Sequence, residues 1–205
     1  ILRWNKRIDH HIEYQQSKNW APIAGDGELT NKTLVILGYG GIGSQVAKLG
    51  KAFGMRVTGI RRNPQDDEHA DEVLGLDRFE ELLPLTDYLV LSLPDSPQTR
   101  DIINADILEK LSNSAMIINV GRGTAINEED ISDALNGEKI AAAALDTTKV
   151  EPLDASSSLW TAKNCFISAH DSAHSLLSLE RAFELFFQNI KNIKNGDQIV
   201  NLYSE

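Results

Sequence analysis

Apolar residues in this chain fall into short continuous runs separated by amphipathic stretches. Runs at 33–37, 55–60, 87–93, 115–120, 140–145 and 165–168 have strand length, and 73–74 fits a short edge strand. Between them, helix-period stripes predict helices over 44–53, 77–83, 105–111 and 127–137, and a long one with a wide apolar face over 176–193. Punctuation agrees. Gly54, Gly137 and Gly196 stand where helices should stop, Pro64 and Pro94 follow strands, and Asn127 and Asp77 are placed to cap helices. Near the N-terminus Trp4, Ile8 and Ile12 form one stripe at four-residue spacing, predicting a helix within residues 1–20. Residues 21–31, with Pro22, Gly25 and Gly27, read as a loop. Strands that alternate with helices and are apolar throughout predict an α/β fold, its parallel sheet covered on both faces.

The run 33–37 leads directly into Gly38-Tyr-Gly-Gly-Ile-Gly43 and then a helical stripe. Strand, G-x-G-x-x-G turn and helix together are the context that gives this motif meaning. Gly38 permits the tight turn, Gly40 lets backbone approach a pyrophosphate, and Gly43 lets helix and strand pack closely. The fold expected is therefore a Rossmann-type doubly wound sheet with flanking N- and C-terminal helices.

Composition narrows the setting. The chain has 205 residues, 41% hydrophobic and 24% charged, with 20 Lys+Arg against 30 Asp+Glu and a net charge of −10. That balance disfavours nucleic-acid partners, which need clustered cations. Apolar runs are far too short to span a membrane. The single cysteine, Cys165, makes no internal disulfide, which together with the absence of a visible signal peptide points to the cytoplasm. The chain opens at Ile1 inside a helical pattern, so a piece of a longer polypeptide is expected.

Ligands of an open parallel sheet bind outside the carboxyl ends of its strands. Those ends carry, in order, the glycine turn, Arg61-Arg62, Pro94 with the turn-rich loop through Thr99, Gly121-Arg122-Gly123, Asp146 with Glu151 five residues on, and His170. Arg122, Glu151 and His170 thus leave three strands on the edge that should hold the dinucleotide, a constellation suited to catalysis. Arg61 lies eighteen residues past Gly43, near the position where an acid would hold the adenosine ribose. A guanidinium there suits a 2′-phosphate, so NADP(H) is favoured and NAD(H) is possible. The alternative is a solvated Arg61, with Asp66 or Asp67 serving the ribose.

Gly-Tyr-Gly-Gly-Ile-Gly (38–43), Phe-Gly-Met-Arg-Val (53–57), Ile-Asn-Val-Gly-Arg-Gly (118–123), Ala-Leu-Asp (144–146), Val-Glu-Pro-Leu (150–153) and Ser-Ala-His (168–170) stand in one order along the chain. In these the chain resembles the nucleotide-binding domain of the D-isomer-specific 2-hydroxyacid dehydrogenases. That family includes glyoxylate/hydroxypyruvate reductases, phosphoglycerate dehydrogenases and D-lactate dehydrogenases. The resemblance implies a reversible NAD(P)-dependent reduction of a small 2-oxoacid to a D-2-hydroxyacid. It implies that Arg122 grips the substrate carboxylate and carbonyl oxygen. It gives His170 the role of proton donor, and Glu151 that of orienting and charging the histidine. Asp146 would hold the nicotinamide carboxamide. The implied cofactor-binding set is Gly38, Gly40, Gly41, Ile42, Gly43, Arg61, Arg62, Pro94, Thr99, Val120, Gly121 and Asp146, with no metal.

The resemblance also predicts an organisation: an interdomain and dimerisation helix at 1–20, a dinucleotide-binding domain at 21–175, and a C-terminal helix at 176–205. That helix would close onto a substrate domain largely absent from these residues. Homodimers are expected, with 11–22 as the arm around the partner, and a chain of this extent should bind cofactor but turn over poorly alone. The pattern departs from the family in Ser168-Ala169 for the usual Thr-Pro, and in Asp146-Thr147-Thr148-Lys149 for Asp-Val-Phe. Lys149 is read as a solvated loop lysine and Cys165 as an inert core thiol. His174 is a second candidate for the proton donor. A non-catalytic dinucleotide sensor of the corepressor type is the competing function.

Overall fold

The computed structural model describes residues 1–23 and 27–201, so Gly25 of the predicted loop and the end of the 176–205 segment lie outside the described residues. Among the described residues seven strands form one sheet: β1 Thr33–Leu37, β2 Arg56–Ile60, β3 Glu72–Leu74, β4 Tyr88–Leu91, β5 Met116–Asn119, β6 Ala142–Leu145 and β7 Cys165–Ile167. All pairs are parallel, in the order β3-β2-β1-β4-β5-β6-β7. The order reverses between β1 and β4, which opens a crevice beyond their carboxyl ends.

The continuous apolar runs are explained by cover on both faces. Successive strand residues point to opposite faces, so Val35, Leu37, Leu89, Leu91 and Ile117 join one core cluster while Leu34, Ile36, Val57 and Val90 join another. The first cluster takes side chains from α4 Phe79–Leu82, α5 Ala105–Lys110 and α6 Glu128–Asn136. The second takes Ala47 of α3 Gly41–Ala52, with Trp4 packed beside it.

Helix ends follow capping chemistry. Asn127 Oδ1 accepts from the N–H groups of Glu129 and Asp130, and Asn104 caps α5 through Ile107 N–H at 3.2 Å. Asp77 makes no cap. It lies inside a 3₁₀ turn, Leu76–Arg78, and α4 begins only at Phe79, whose ring is buried. Just before β4 the Asp87 carboxylate is tied to the chain leading into β1, accepting from Thr33 N–H at 2.9 Å and from Lys32 Nζ at 2.8 Å.

The N-terminal stripe divides into α1 Leu2–Asn5 and α2 Ile8–Gln16, with Arg7 in the left-handed region (φ 46) between them. Asn5 is drawn inward, its Nδ2 donating to Tyr88 Oη at 3.1 Å, and its backbone carbonyl accepts from Gly27 N–H. Trp4 turns to the core with it, while Ile8 and Ile12 stay exposed on α2.

The chain forms two compact units, Ile1–Ala169 and His170–Glu205. The sheet and its covering helices make up the first. Within the second, α7 Ser178–Asn195 ends at left-handed Gly196 (φ 76), and the segment after it folds back on the helix. Asn192 donates to Gln198 O at 2.8 Å, and Asn189 exchanges two bonds with the Val200 backbone. Among the described residues no helix is long and apolar enough to cross a membrane.

Candidate dinucleotide site and active site

The glycine turn is stitched to its neighbours on both sides. Gly38 and Tyr39 both donate their N–H to Ile60 O at the end of β2, and Ser92 Oγ, just past β4, donates to Gly38 O at 2.7 Å. Gly38 has φ +101, and a Cβ there would stand 2.7 Å from Ser92 O. A Cβ on Gly43 would meet Gly38 O at 2.7 Å, so α3 crosses β1 at a distance only glycine permits.

Gly40 and Gly41 differ, because a Cβ on either meets nothing within 4 Å. Among the described residues nothing fills this space, and α3 opens onto it with no side-chain cap and no acidic residue in its first turn. An uncapped helix start beside an open glycine backbone suits a pyrophosphate. Gly40→Ala should therefore leave stability within about 0.5 kcal/mol yet weaken dinucleotide binding about tenfold. By contrast Gly38→Ala should cost about 2–4 kcal/mol of stability. Urea unfolding and a binding titration of both variants check the contrast; equal destabilisation would contradict it.

At the adenosine end, Arg61 is half-buried and Arg62 exposed. Asp67, the acid that could have served the ribose, accepts instead from Tyr39 Oη at 3.0 Å and from His69 N–H at 2.8 Å. The His69 N–H and the Tyr39 hydroxyl hold its carboxyl below the usual aspartate range.

Three further loops close together past β4, β5 and β6. A Cβ on Gly121 would stand 2.7 Å from Leu93 N, and one on Gly123 only 2.0 Å from the Thr148 carbonyl carbon. Pro94 is exposed and its carbonyl accepts from Thr99 Oγ1 at 2.8 Å, so the Thr99 hydroxyl shapes the loop it belongs to. Val120 is half-buried and Gly121 buried. The exposed Arg122 is held from behind by Asn119, whose fully buried side chain donates to Arg122 O and accepts from Gly121 N–H, both at 3.0 Å. Asp95 spans the β4 and β5 loops, pairing with Arg100 at 3.0 Å and accepting from Thr124 Oγ1 at 2.8 Å.

Past β6, Asp146 is 6% exposed and accepts from Ser168 Oγ at 2.6 Å. Ser168 is one of the departures from the family pattern, and its hydroxyl is spent on the acid expected to face the nicotinamide. Glu151 Oε1 accepts from Thr148 N–H at 3.1 Å, which fixes the carboxylate against its own loop. Lys149 pairs with Asp101 at 2.8 Å and remains partly solvated. Cys165 is half-buried, and burial pushes its thiol up to about 11, which makes it a poor nucleophile.

The first unit thus brings the glycine turn, Arg61, Pro94, Val120, Gly121, Arg122, Asp146 and Glu151 to one end of the sheet. His170 is the first residue of the second unit, exposed and left-handed (φ 52), and there His174 N–H bonds Asp171 O at 2.9 Å. Sequence reasoning missed Asn119 and Ser168. A lone Asn closing an otherwise apolar strand is the signal that could have marked the first, since a buried amide needs partners. Among the described residues no His, Cys, Asp or Glu cluster is placed to hold a metal ion.

A doubly wound parallel sheet with a glycine turn at its switch point defines a dinucleotide-binding domain. Comparison with known proteins specifies it. Residues 1–172 match the model of the D-isomer specific 2-hydroxyacid dehydrogenase, NAD binding domain, and the chain belongs to that family. The Homo sapiens glyoxylate reductase/hydroxypyruvate reductase is 37% identical over 176 residues, covering 83% of this chain and 53% of that protein. The structure of a D-isomer specific 2-hydroxyacid dehydrogenase family protein from Aeromonas salmonicida superposes with a TM-score of 0.89 at 32% identity, covering 99% of this chain and 64% of that one. The NADPH-dependent glyoxylate/hydroxypyruvate reductase of Sinorhizobium meliloti, solved with NADP and sulfate, gives 0.86 at 27% identity, covering 99% and 65%. The chain spans roughly half to two thirds of the length of such relatives.

Proposed function

We propose that the protein reduces a small 2-oxoacid to a D-2-hydroxyacid with NADP(H), and runs the reverse reaction. The observation that carries this is the packing of the Gly121–Gly123 and Thr148–Glu151 loops, which sets Arg122 and Glu151 at the sheet end that bears the glycine cradle. Family membership and the reductases among its relatives support the same reading.

The residues present fit a dinucleotide. Gly40, Gly41, Ile42 and the start of α3 would take the pyrophosphate, Arg61 and Arg62 a 2′-phosphate, and Asp146 the nicotinamide carboxamide. Pro94, Thr99, Val120 and Gly121 would line its course. The bound cofactor supplies hydride to the carbonyl carbon. Arg122 binds the substrate carboxylate and stabilises negative charge growing on the carbonyl oxygen. His170 gives that oxygen a proton, and Glu151 favours the charged, donating imidazole.

The C-terminal helix at 176–205 closes a substrate domain in this reading, and residues 1–20 join domains and protomers. In support, His11, Tyr14, Trp20 and Pro22 help line an open groove of about 760 Å³, with Trp20 wholly exposed, as an arm awaiting a second protomer would be. The protein is proposed to be a cytoplasmic homodimer without nucleic-acid or membrane partners.

Initial rates with the full-length protein test the function, using glyoxylate, hydroxypyruvate and a branched 2-oxoacid with NADPH and NADH. Turnover of at least one acid, faster with NADPH, is expected. No turnover across the panel while cofactor binds tightly would sink the enzyme reading.

A further inference from the structure

The aromatic side chain of the glycine turn, Tyr39, is not solvated. Tyr39 is 3% exposed, and its ring lies where a side chain on β2 would stand: a Cβ on Gly59 would fall 2.2 Å from Cδ2. From that bed the Tyr39 hydroxyl crosses to the loop after β2 and donates to Asp67 Oδ1 at 3.0 Å. The same oxygen accepts His69 N–H at 2.8 Å. Burial, then the Asp67 bond, pushes the Tyr39 phenol up to about 12, so the tyrosine is the donor at any working pH. The positive charge of Arg61 acts on both partners. One cluster therefore holds the two residue types that solve the ribose problem in opposite ways, a carboxylate for a 2′-hydroxyl and a guanidinium for a 2′-phosphate.

We propose that the Tyr39–Asp67 hydrogen bond is a determinant of cofactor choice. It engages the Asp67 carboxylate from the protein side and withholds it from a ribose 2′-hydroxyl, leaving Arg61 and Arg62 to receive a 2′-phosphate. Tyr39 acts here as a positioning residue, and the inference rests on the NADP(H) reading above. A carboxylate released beside the 2′-position would repel the phosphate and bond the hydroxyl. Two donors converge on Oδ1 and the Tyr39 ring is wedged on Gly59, which favours this orientation of the carboxylate.

The test is isothermal titration of the protein with NADP⁺ and with NAD⁺, for wild type, Tyr39→Phe, Asp67→Asn and the double variant. Tyr39→Phe keeps the ring and frees the acid, and should lower the preference for NADP⁺ over NAD⁺ about tenfold. Adding Asp67→Asn should restore the preference, because no carboxylate remains to be released. Asp67→Asn alone should leave the NAD⁺ affinity within about twofold, since the engaged acid does not touch the ribose.

Equal weakening of both dinucleotides by Tyr39→Phe would reduce the bond to packing and overturn the proposal. So would a large loss of NAD⁺ binding in Asp67→Asn, a result readable even if the phenylalanine variant does not fold. The wild-type ratio separately tests the NADP(H) reading. The change in ratio between variants tests the latch, whichever cofactor the wild type prefers.

Discussion

His170→Gln is expected to lower the turnover of 2-oxoacid reduction about 10³-fold while leaving NADPH affinity within about threefold. Glutamine fills a similar space and can still donate a hydrogen bond, but it has no titratable proton to give the forming alkoxide. The loss should therefore fall on kcat. His170, the proposed donor, lies three residues past the end of β7 and takes a left-handed backbone conformation (φ 52). His174→Gln is the matching control and should keep most of the activity. If the two variants behave in the reverse order, His174 is the donor and the assignment to His170 falls. Stopped-flow NADPH consumption, with cofactor binding followed by fluorescence, separates these outcomes.

Gly123→Val should be the most damaging single change to the first unit, costing about 3–5 kcal/mol of stability. The ground is a contact between backbones. A Cβ at 123 would lie 2.0 Å from the Thr148 carbonyl carbon, 2.1 Å from its oxygen and 2.5 Å from Lys149 N. No rotamer relieves that clash, so the Arg122 loop and the Glu151 loop must move apart. Even where the variant folds, the KM for the oxoacid should rise and kcat fall, while NADP⁺ affinity changes less, because the glycine cradle lies past β1 on the other side of the switch point. Urea midpoints and steady-state kinetics measure the two effects. A variant with wild-type stability and kinetics would show that the close approach of these loops does not organise the site.

Elements fixed by local chemistry were legible in the sequence. The seven strands follow apolar runs, Asn127 caps its helix, and Gly38, Gly40 and Gly43 sit in a strand–turn–helix, because each depends on residues a few positions apart. Features that depend on distant partners were not. The break at Lys6–Arg7 arises because Asn5 finds Tyr88, 83 residues away, and no periodicity within residues 1–16 announces that pairing. Asp77 has the composition of a cap, yet the buried Phe79 sets where the helix begins. In the candidate site, the strand ends could be read off in order, so the positions of Arg122, Asp146 and Glu151 past β5 and β6 were legible. What holds them was hidden: Asn119 behind Arg122, Ser168 on Asp146, and Thr148 N–H on Glu151 are pairings of fold and loop closure. Asp67 shows the difference most clearly. The sequence gives it, with Asp66, as the alternative to Arg61 at the ribose, and nothing local announces its bonds from Tyr39 and His69.

In the proposed reaction NADPH and a 2-oxoacid meet on this sheet edge and leave as NADP⁺ and a D-2-hydroxyacid. Its most direct test is incubation of the full-length protein with NADPH and hydroxypyruvate, followed by chiral chromatography of the product. D-Glycerate is expected in an amount equal to the NADPH consumed. Formation of the L-isomer, or cofactor binding without any NADPH consumption across a panel of 2-oxoacids, would contradict it.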